Sequence, residues 1–250
     1  MQLSGEALVT GGGRGIGESI ARDLAAAGMH VTVTGRTADV VERVAAEIGG
    51  RALVGDVSRR EDVERWAGET GALDLLVCNA GIGGPEDALA EPEAWWQTFE
   101  VNVLGVFLCC RAFAPGMVER GSGRIVVISS GAAYLPPPPS RPHHATAYPA
   151  SKAAVHRFAE MLAAELAPQN VFVFSIAPGL VRTRLTEELG EDMPWTPPEC
   201  APALVHAIAA GGLDDLAGRY LHAEHDPPDA LDGRAREILR DDLNAVRLRR

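Results

Sequence analysis

Two residues four positions apart, Tyr148 and Lys152 in the run Tyr148-Pro-Ala-Ser-Lys152, could handle a proton together. On a helix that spacing puts both side chains on one face. A free phenol titrates near 10, too high for a good base near neutrality. A neighbouring ammonium favours the phenolate and lowers that value, so the pair reads as a general acid/base. A second stretch, Thr10-Gly-Gly-Gly-Arg-Gly-Ile-Gly17, joins an apolar run to an amphipathic one. Glycines let the backbone approach a diphosphate closely, and a helix start adds free N–H groups and the positive end of a dipole. A plain turn also collects glycine. Here the loop follows a strand and opens a helix, the context that favours nucleotide binding. The lysine of a P-loop is absent.

These residues depend on the elements that carry them. Residues 7–10, 31–34, 52–54, 73–78, 124–129 and 171–176 read as strands, and 16–27, 40–48, 61–68, 93–119, 150–167 and 229–244 as helices. The strands are apolar without strict alternation, as in a parallel sheet buried on both faces. Strand–helix alternation of this kind predicts an α/β fold, a doubly wound parallel sheet flanked by helices. Thr196-Pro-Pro-Glu199 has the form of a helix N-cap with Pro at N1 and Glu at N3. The run 136–139 is all proline and can be neither helix nor central strand.

The 250 residues are 46% apolar, enough for a full core, and carry a net charge of −11. Such acidity argues against a nucleic-acid partner. No apolar run of membrane-spanning length and no signal peptide is evident, so a soluble protein with no membrane partner is expected. Cys78, Cys109, Cys110 and Cys200 lack metal-ligand spacing and read as buried thiols of a reducing, cytoplasmic compartment. No metal site is expected.

The glycine loop has the form T-G-x-x-x-G-x-G, and it resembles that of the short-chain dehydrogenase/reductase family. Further motifs follow in order: Asp56-Val57, Asn79-Ala80-Gly81, Asn102, Ser129-Ser130, Tyr148-x-x-Ser-Lys152, and Pro178-Gly179 with Val181 and Thr183. The resemblance spans about residues 5–185 and implies a Rossmann-type fold, treated as one domain over residues 1–250. It implies Asn102, Ser130, Tyr148 and Lys152 as the catalytic set, with Ser129 the rival to Ser130. It also implies a nicotinamide cofactor held by Gly11, Gly13, Arg14, Gly15, Ile16, Gly17, Arg36, Asp56, Val57, Asn79, Ala80, Gly81, Tyr148, Lys152, Pro178, Gly179, Val181 and Thr183. Asp56 would bind the adenine amine, and Asn102 would anchor a water that relays protons to Lys152.

An NAD site usually has a carboxylate at the end of the second strand. This chain reads Val33-Thr-Gly-Arg36, and a guanidinium there suits a 2′-phosphate. NADP(H) is therefore expected over NAD(H), with two solvated arginines as the alternative reading. In reduction, Tyr148 would protonate a carbonyl oxygen while Ser130 stabilises its charge. The expected activity interconverts a ketone and a secondary alcohol, and a regulatory or scaffold protein on the same fold is the second hypothesis.

Three departures from the family pattern stand out. Eighteen positions separate Ser130 from Tyr148, several more than is usual, the excess being the stretch 136–144. His143 and His144 within it read as pocket or solvated loop residues. A polar segment, about 182–199, reads as a substrate lid whose Leu185, Leu189, Met193 and Trp195 suggest an apolar or aromatic small-molecule substrate. The charged tail, about 223–250, could shape the pocket or a subunit contact, or do neither. A homodimer or homotetramer is expected.

Overall fold

The computed structural model describes residues 2–136 and 146–247. The stretch 136–144, with His143 and His144, lies outside the described residues apart from Pro136. Among the described residues seven strands form one parallel sheet: β1 (Glu6–Thr10), β2 (His30–Gly35), β3 (Arg51–Val54), β4 (Leu75–Cys78), β5 (Gly123–Ile128), β6 (Val171–Ala177) and β7 (Tyr220–His222). Their order is β3-β2-β1-β4-β5-β6-β7. The helices are α1 (Gly15–Ala26), α2 (Ala38–Ile48), α3 (Arg60–Thr70), α4 (Pro92–Phe99), α5 (Gly105–Arg120), α6 (Ala147–Leu166), α7 (Cys200–Ala209) and α8 (Pro228–Arg240).

The apolar strands supply two cores at once, because successive side chains point to opposite faces. Val9, Val77, Val126 and Phe174 face one core, closed by Ile20 and Leu24 of α1, Val44 of α2, Leu204 of α7 and Ile238 of α8. Leu8, Leu76, Ile125 and Val173 face the other, closed by Trp66 of α3, Phe113 and Met117 of α5, and Val155 of α6. Helices on both faces make the sheet doubly wound. Strand order reverses at β1, which pairs with β2 on one side and β4 on the other. A ligand cleft is expected outside the carboxyl ends of these strands.

Several boundaries differ from the sequence expectation. The helix expected over 93–119 is interrupted by a π-helical turn, Glu100–Leu104. Its full helical stretch, Pro92–Arg120, is long and apolar enough to cross a membrane by length and composition; the sequence count missed this. Here Val106, Leu108, Cys109, Phe113 and Met117 are buried against the sheet. Thr196 caps no helix: α7 starts at Cys200 with Glu199 as its N-cap. The Thr196 hydroxyl instead accepts from the Leu180 N–H (3.1 Å) and donates to Glu224 (2.6 Å), tertiary partners that outcompete a cap. Helix α8 stops at Arg240, and Asp242 and Asn244 take left-handed conformations (φ 51° and 53°). Asn244 then covers the β7 edge, its C=O accepting from the Tyr220 N–H and its amide donating to the Tyr220 C=O. Cys78, Cys109 and Cys110 are buried, and Cys200 is partly so.

Candidate active site

The switch point is stitched by two side chains. The Thr10 hydroxyl, at the end of β1, accepts from the N–H groups of Asn79 (3.0 Å) and Ala80 (3.1 Å). The Asn79 amide donates to the carbonyls of Thr10 (2.9 Å) and Gly11 (3.2 Å). The glycine loop and the turn after β4 are thus one rigid rim. Beyond it opens a cleft of about 810 Å³, lined by Gly11, Gly13, Arg14, Gly15, Ile16, Gly17, Arg36, Asp56, Val57, Asn79, Ala80, Gly81, Tyr148, Lys152, Pro178 and Thr183. Gly179 and Val181 lie outside this wall. Gly179 is backed by Thr196, and the Val181 carbonyl accepts from the Thr186 hydroxyl at 2.8 Å. Segment 182–199 adds Arg182, Arg184, Leu185 and Glu187 to the wall.

The loop's glycines are required by close approach. Gly15 opens α1 at φ 55°, and a Cβ there would sit 3.3 Å from the Thr183 methyl. A Cβ on Gly17 would collide with the Asn79 amide and the Gly11 carbonyl. No side chain caps the first turn of α1, so its dipole end faces the cleft. This cradle fits a diphosphate. At the β2 end, Arg36 is largely exposed, 3.8 Å from Asp56. The Asp56 carboxylate also accepts from the backbone N–H (2.9 Å) and hydroxyl (2.7 Å) of Ser58.

Helix α6 carries Tyr148 and Lys152 in its first turns, both on the cleft wall. Lys152 is buried, and its ammonium donates to the Ile128 carbonyl at 2.8 Å. It lies 5.7 Å from the Tyr148 ring centroid. Burial lowers the Lys152 pKa to about 8. Burial also pushes the Tyr148 phenol up, and a hydrogen bond with Ser130 pulls it partly back. The sequence expectation of a lysine-lowered phenol is thus outweighed by desolvation, which keeps the phenol protonated. Of the two rival serines, Ser130 reaches the phenol, while the Ser129 hydroxyl donates to the Lys152 carbonyl (3.3 Å).

Asn102 sits in the π-helical turn, a feature often found at functional sites. Its oxygen accepts from the Ile82 N–H (2.9 Å), and its amide donates to the Ile82 carbonyl (3.0 Å) and the Ser151 hydroxyl (3.0 Å). The Ser151 hydroxyl in turn donates to the Tyr148 carbonyl (2.8 Å). Asn102 therefore clamps the turn after β4 to α6. Asn102→Ala leaves the Ile82 N–H and C=O without side-chain partners, at a cost of about 2–4 kcal/mol. A thermal melt is expected to show a midpoint lower by roughly 5–10 °C.

Sequence reasoning missed one group. The chain has three tyrosines. The Tyr134 ring packs edge-on against Tyr220 (4.8 Å), and Tyr220 packs edge-on against His156 (5.4 Å). His156 is buried, with Nδ1 3.1 Å from the Ser175 hydroxyl. Burial, then Tyr134, Asp226 and Tyr148, push the Tyr220 phenol up. The available signal was helical spacing, since Tyr148, Lys152 and His156 recur every four residues.

Comparison with known proteins accords with this geometry. Residues 6–194 match the family model described as short chain dehydrogenase. A galactitol 2-dehydrogenase (L-tagatose-forming) of Cereibacter sphaeroides is 40% identical over 192 residues, covering 74% of each chain. A gluconate 5-dehydrogenase of Burkholderia cenocepacia, solved with NADP and tartrate, superposes with a TM-score of 0.79 at 29% identity, covering 88% of this chain and 94% of that one. A 7α-hydroxysteroid dehydrogenase, solved with NADH and 7-oxo glycochenodeoxycholic acid, has a TM-score of 0.80 at 27% identity, covering 90% and 95%.

Proposed function

The chain belongs to the short-chain dehydrogenase/reductase family, and from that premise we propose that it is an NADP(H)-dependent oxidoreductase interconverting a ketone and a secondary alcohol. The observation that carries this reading is Tyr148, its phenol held by Ser130, beside Lys152 on the wall of a cleft floored by the glycine loop. When bound, the nicotinamide cofactor supplies or takes up the hydride. Its diphosphate suits the loop from Gly11 to Gly17, with Ile16 beside it. Arg14 and Arg36 suit a 2′-phosphate, and Asp56 and Val57 would hold the adenine. Asn79, Ala80, Gly81, Pro178 and Thr183 would hold the nicotinamide end, with Gly179 and Val181 setting the backbone there.

In reduction, Tyr148 hydrogen-bonds the carbonyl oxygen and gives it a proton, a step worth about 10²–10⁴-fold. The Ser130 hydroxyl donates to the same oxygen and stabilises developing charge. Lys152 would hold the nicotinamide ribose and resupply the proton. Both amide hydrogens of Asn102 are engaged, so a relay water would use the remaining lone pair of its oxygen or its backbone. Segment 182–199 acts as the substrate lid. Exposed Phe107 of α5 and Met161 of α6 support a homodimer or homotetramer, and the buried thiols support a cytoplasmic setting.

The pH dependence tests the acid/base assignment. Lys152 is a cation below its pKa of about 8 and neutral above it. Tyr148, raised by burial, stays protonated through neutrality. Carbonyl reduction is therefore expected to be flat at neutral pH and to fall above about 8. Alcohol oxidation, which needs the phenolate, should rise with pH. A pH–rate profile of NADPH absorbance in both directions measures this. A reductive rate that climbs through pH 8–10 contradicts it.

A further inference from the structure

Four arginines, Arg14, Arg36, Arg182 and Arg184, line one cleft of a chain whose net charge is −11. The 2′-phosphate reading uses the first two. The other two flank Thr183, whose methyl lies against Gly15 of the glycine loop, while the next residue, Leu185, lies against Gly83 beyond the turn after β4. Arg184 is exposed and makes no hydrogen bond or ion pair among the described residues. Arg182 is held fork to fork by Glu191, with Nη1 2.9 Å and Nη2 2.6 Å from its two oxygens. The guanidinium also lies 4.5 Å over the Trp195 ring, and the Trp195 N–H donates to the Glu191 carbonyl (3.1 Å). The Glu191 side chain is itself 85% exposed. Water screens an exposed pair of this kind, and any planar carboxylate or phosphate edge can take the same fork.

We propose that Arg182 and Arg184 form an anion-binding subsite on the cleft wall beside Thr183, with Glu191 a placeholder that ligand oxygens displace from Arg182. This rests on the oxidoreductase reading and narrows it. The oxygens belong either to a carboxylate on the substrate, distant from its carbonyl, or to the diphosphate of the dinucleotide.

The test compares the wild type with R182Q, R184Q and E191Q. One arm measures the NADPH Kd by fluorescence. The other measures kcat/KM, at saturating NADPH, for linear keto acids of four to eight carbons and their methyl esters. If the substrate supplies the anion, the wild type favours acids over esters. Both arginine variants then lose about tenfold or more on the acids and leave the esters and the NADPH Kd within twofold. If the cofactor supplies it, the NADPH Kd weakens by a similar factor and acids and esters fall together. In either case E191Q moves the affected parameter the opposite way, a gain of about two- to fivefold, which a merely structural role would not produce. The proposal is overturned if both arginine variants keep every parameter within twofold, or if E191Q weakens binding. Tight NADPH binding by the wild type with no turnover of any ester or acid would instead defeat the oxidoreductase reading, and the NADPH Kd arm remains readable in that case.

Discussion

Tyr148→Phe is expected to lower kcat for carbonyl reduction by about 10²–10⁴-fold in a protein that remains folded. The substitution removes one oxygen and keeps the ring that packs near Lys152. The lost atom is the one that Ser130 hydrogen-bonds, so the catalytic proton loses its carrier while the cleft keeps its shape. The phenol, its pKa raised by burial, is neutral near pH 7, so no charge is lost with the hydroxyl and thermal stability should stay nearly unchanged. A fall in kcat/KM with an unaltered circular dichroism spectrum and melting midpoint is the expected pair of readings. A loss smaller than tenfold would move the proton-transfer role to another residue.

The second large effect concerns cofactor choice. Arg36→Asp is expected to shift the ratio of kcat/KM for NADPH over NADH by roughly 10²-fold or more, because charge-assisted hydrogen bonds contribute about 1.5–3 kcal/mol each. The new carboxylate would also repel a 2′-phosphate and accept from a ribose 2′-hydroxyl. Arg36 is exposed and only 3.8 Å from Asp56, so it can turn toward a ligand without leaving a buried charge behind. Steady-state kinetics with both cofactors measure the shift. An unchanged ratio would reduce Arg36 to a solvated surface charge.

The parallel sheet was legible because its strands are apolar on both faces and the helices between them are amphipathic. Leu8 and Val9, neighbours in sequence, serve opposite cores, and only a doubly covered sheet needs both. The glycine loop was legible because Gly17 has no room for a side chain and Gly15 takes a left-handed conformation (φ 55°). What sequence reasoning missed was decided by tertiary competition. Thr196 looks like a cap locally, but Leu180 and Glu224 claim its hydroxyl. The π-helical turn at Asn102 leaves no mark in the apolar pattern, since it shifts backbone pairing rather than side-chain character. Strand β7 is three residues long, too short for a periodic signal. The direction of the Tyr148 pKa shift was missed because depth of burial cannot be read from spacing.

The central claim is that this cleft places a carbonyl carbon for hydride transfer while Tyr148 moves the proton. Incubation with NADPH deuterated at the transferable C4 position and a panel of ketones, followed by mass spectrometry, tests it directly. The account predicts an alcohol product carrying one deuterium at the carbinol carbon, formed by the wild type and lost in Tyr148→Phe. Contradiction would be tight binding of the labelled cofactor with no deuterium reaching any carbonyl, or label transfer that proceeds undiminished without the Tyr148 hydroxyl.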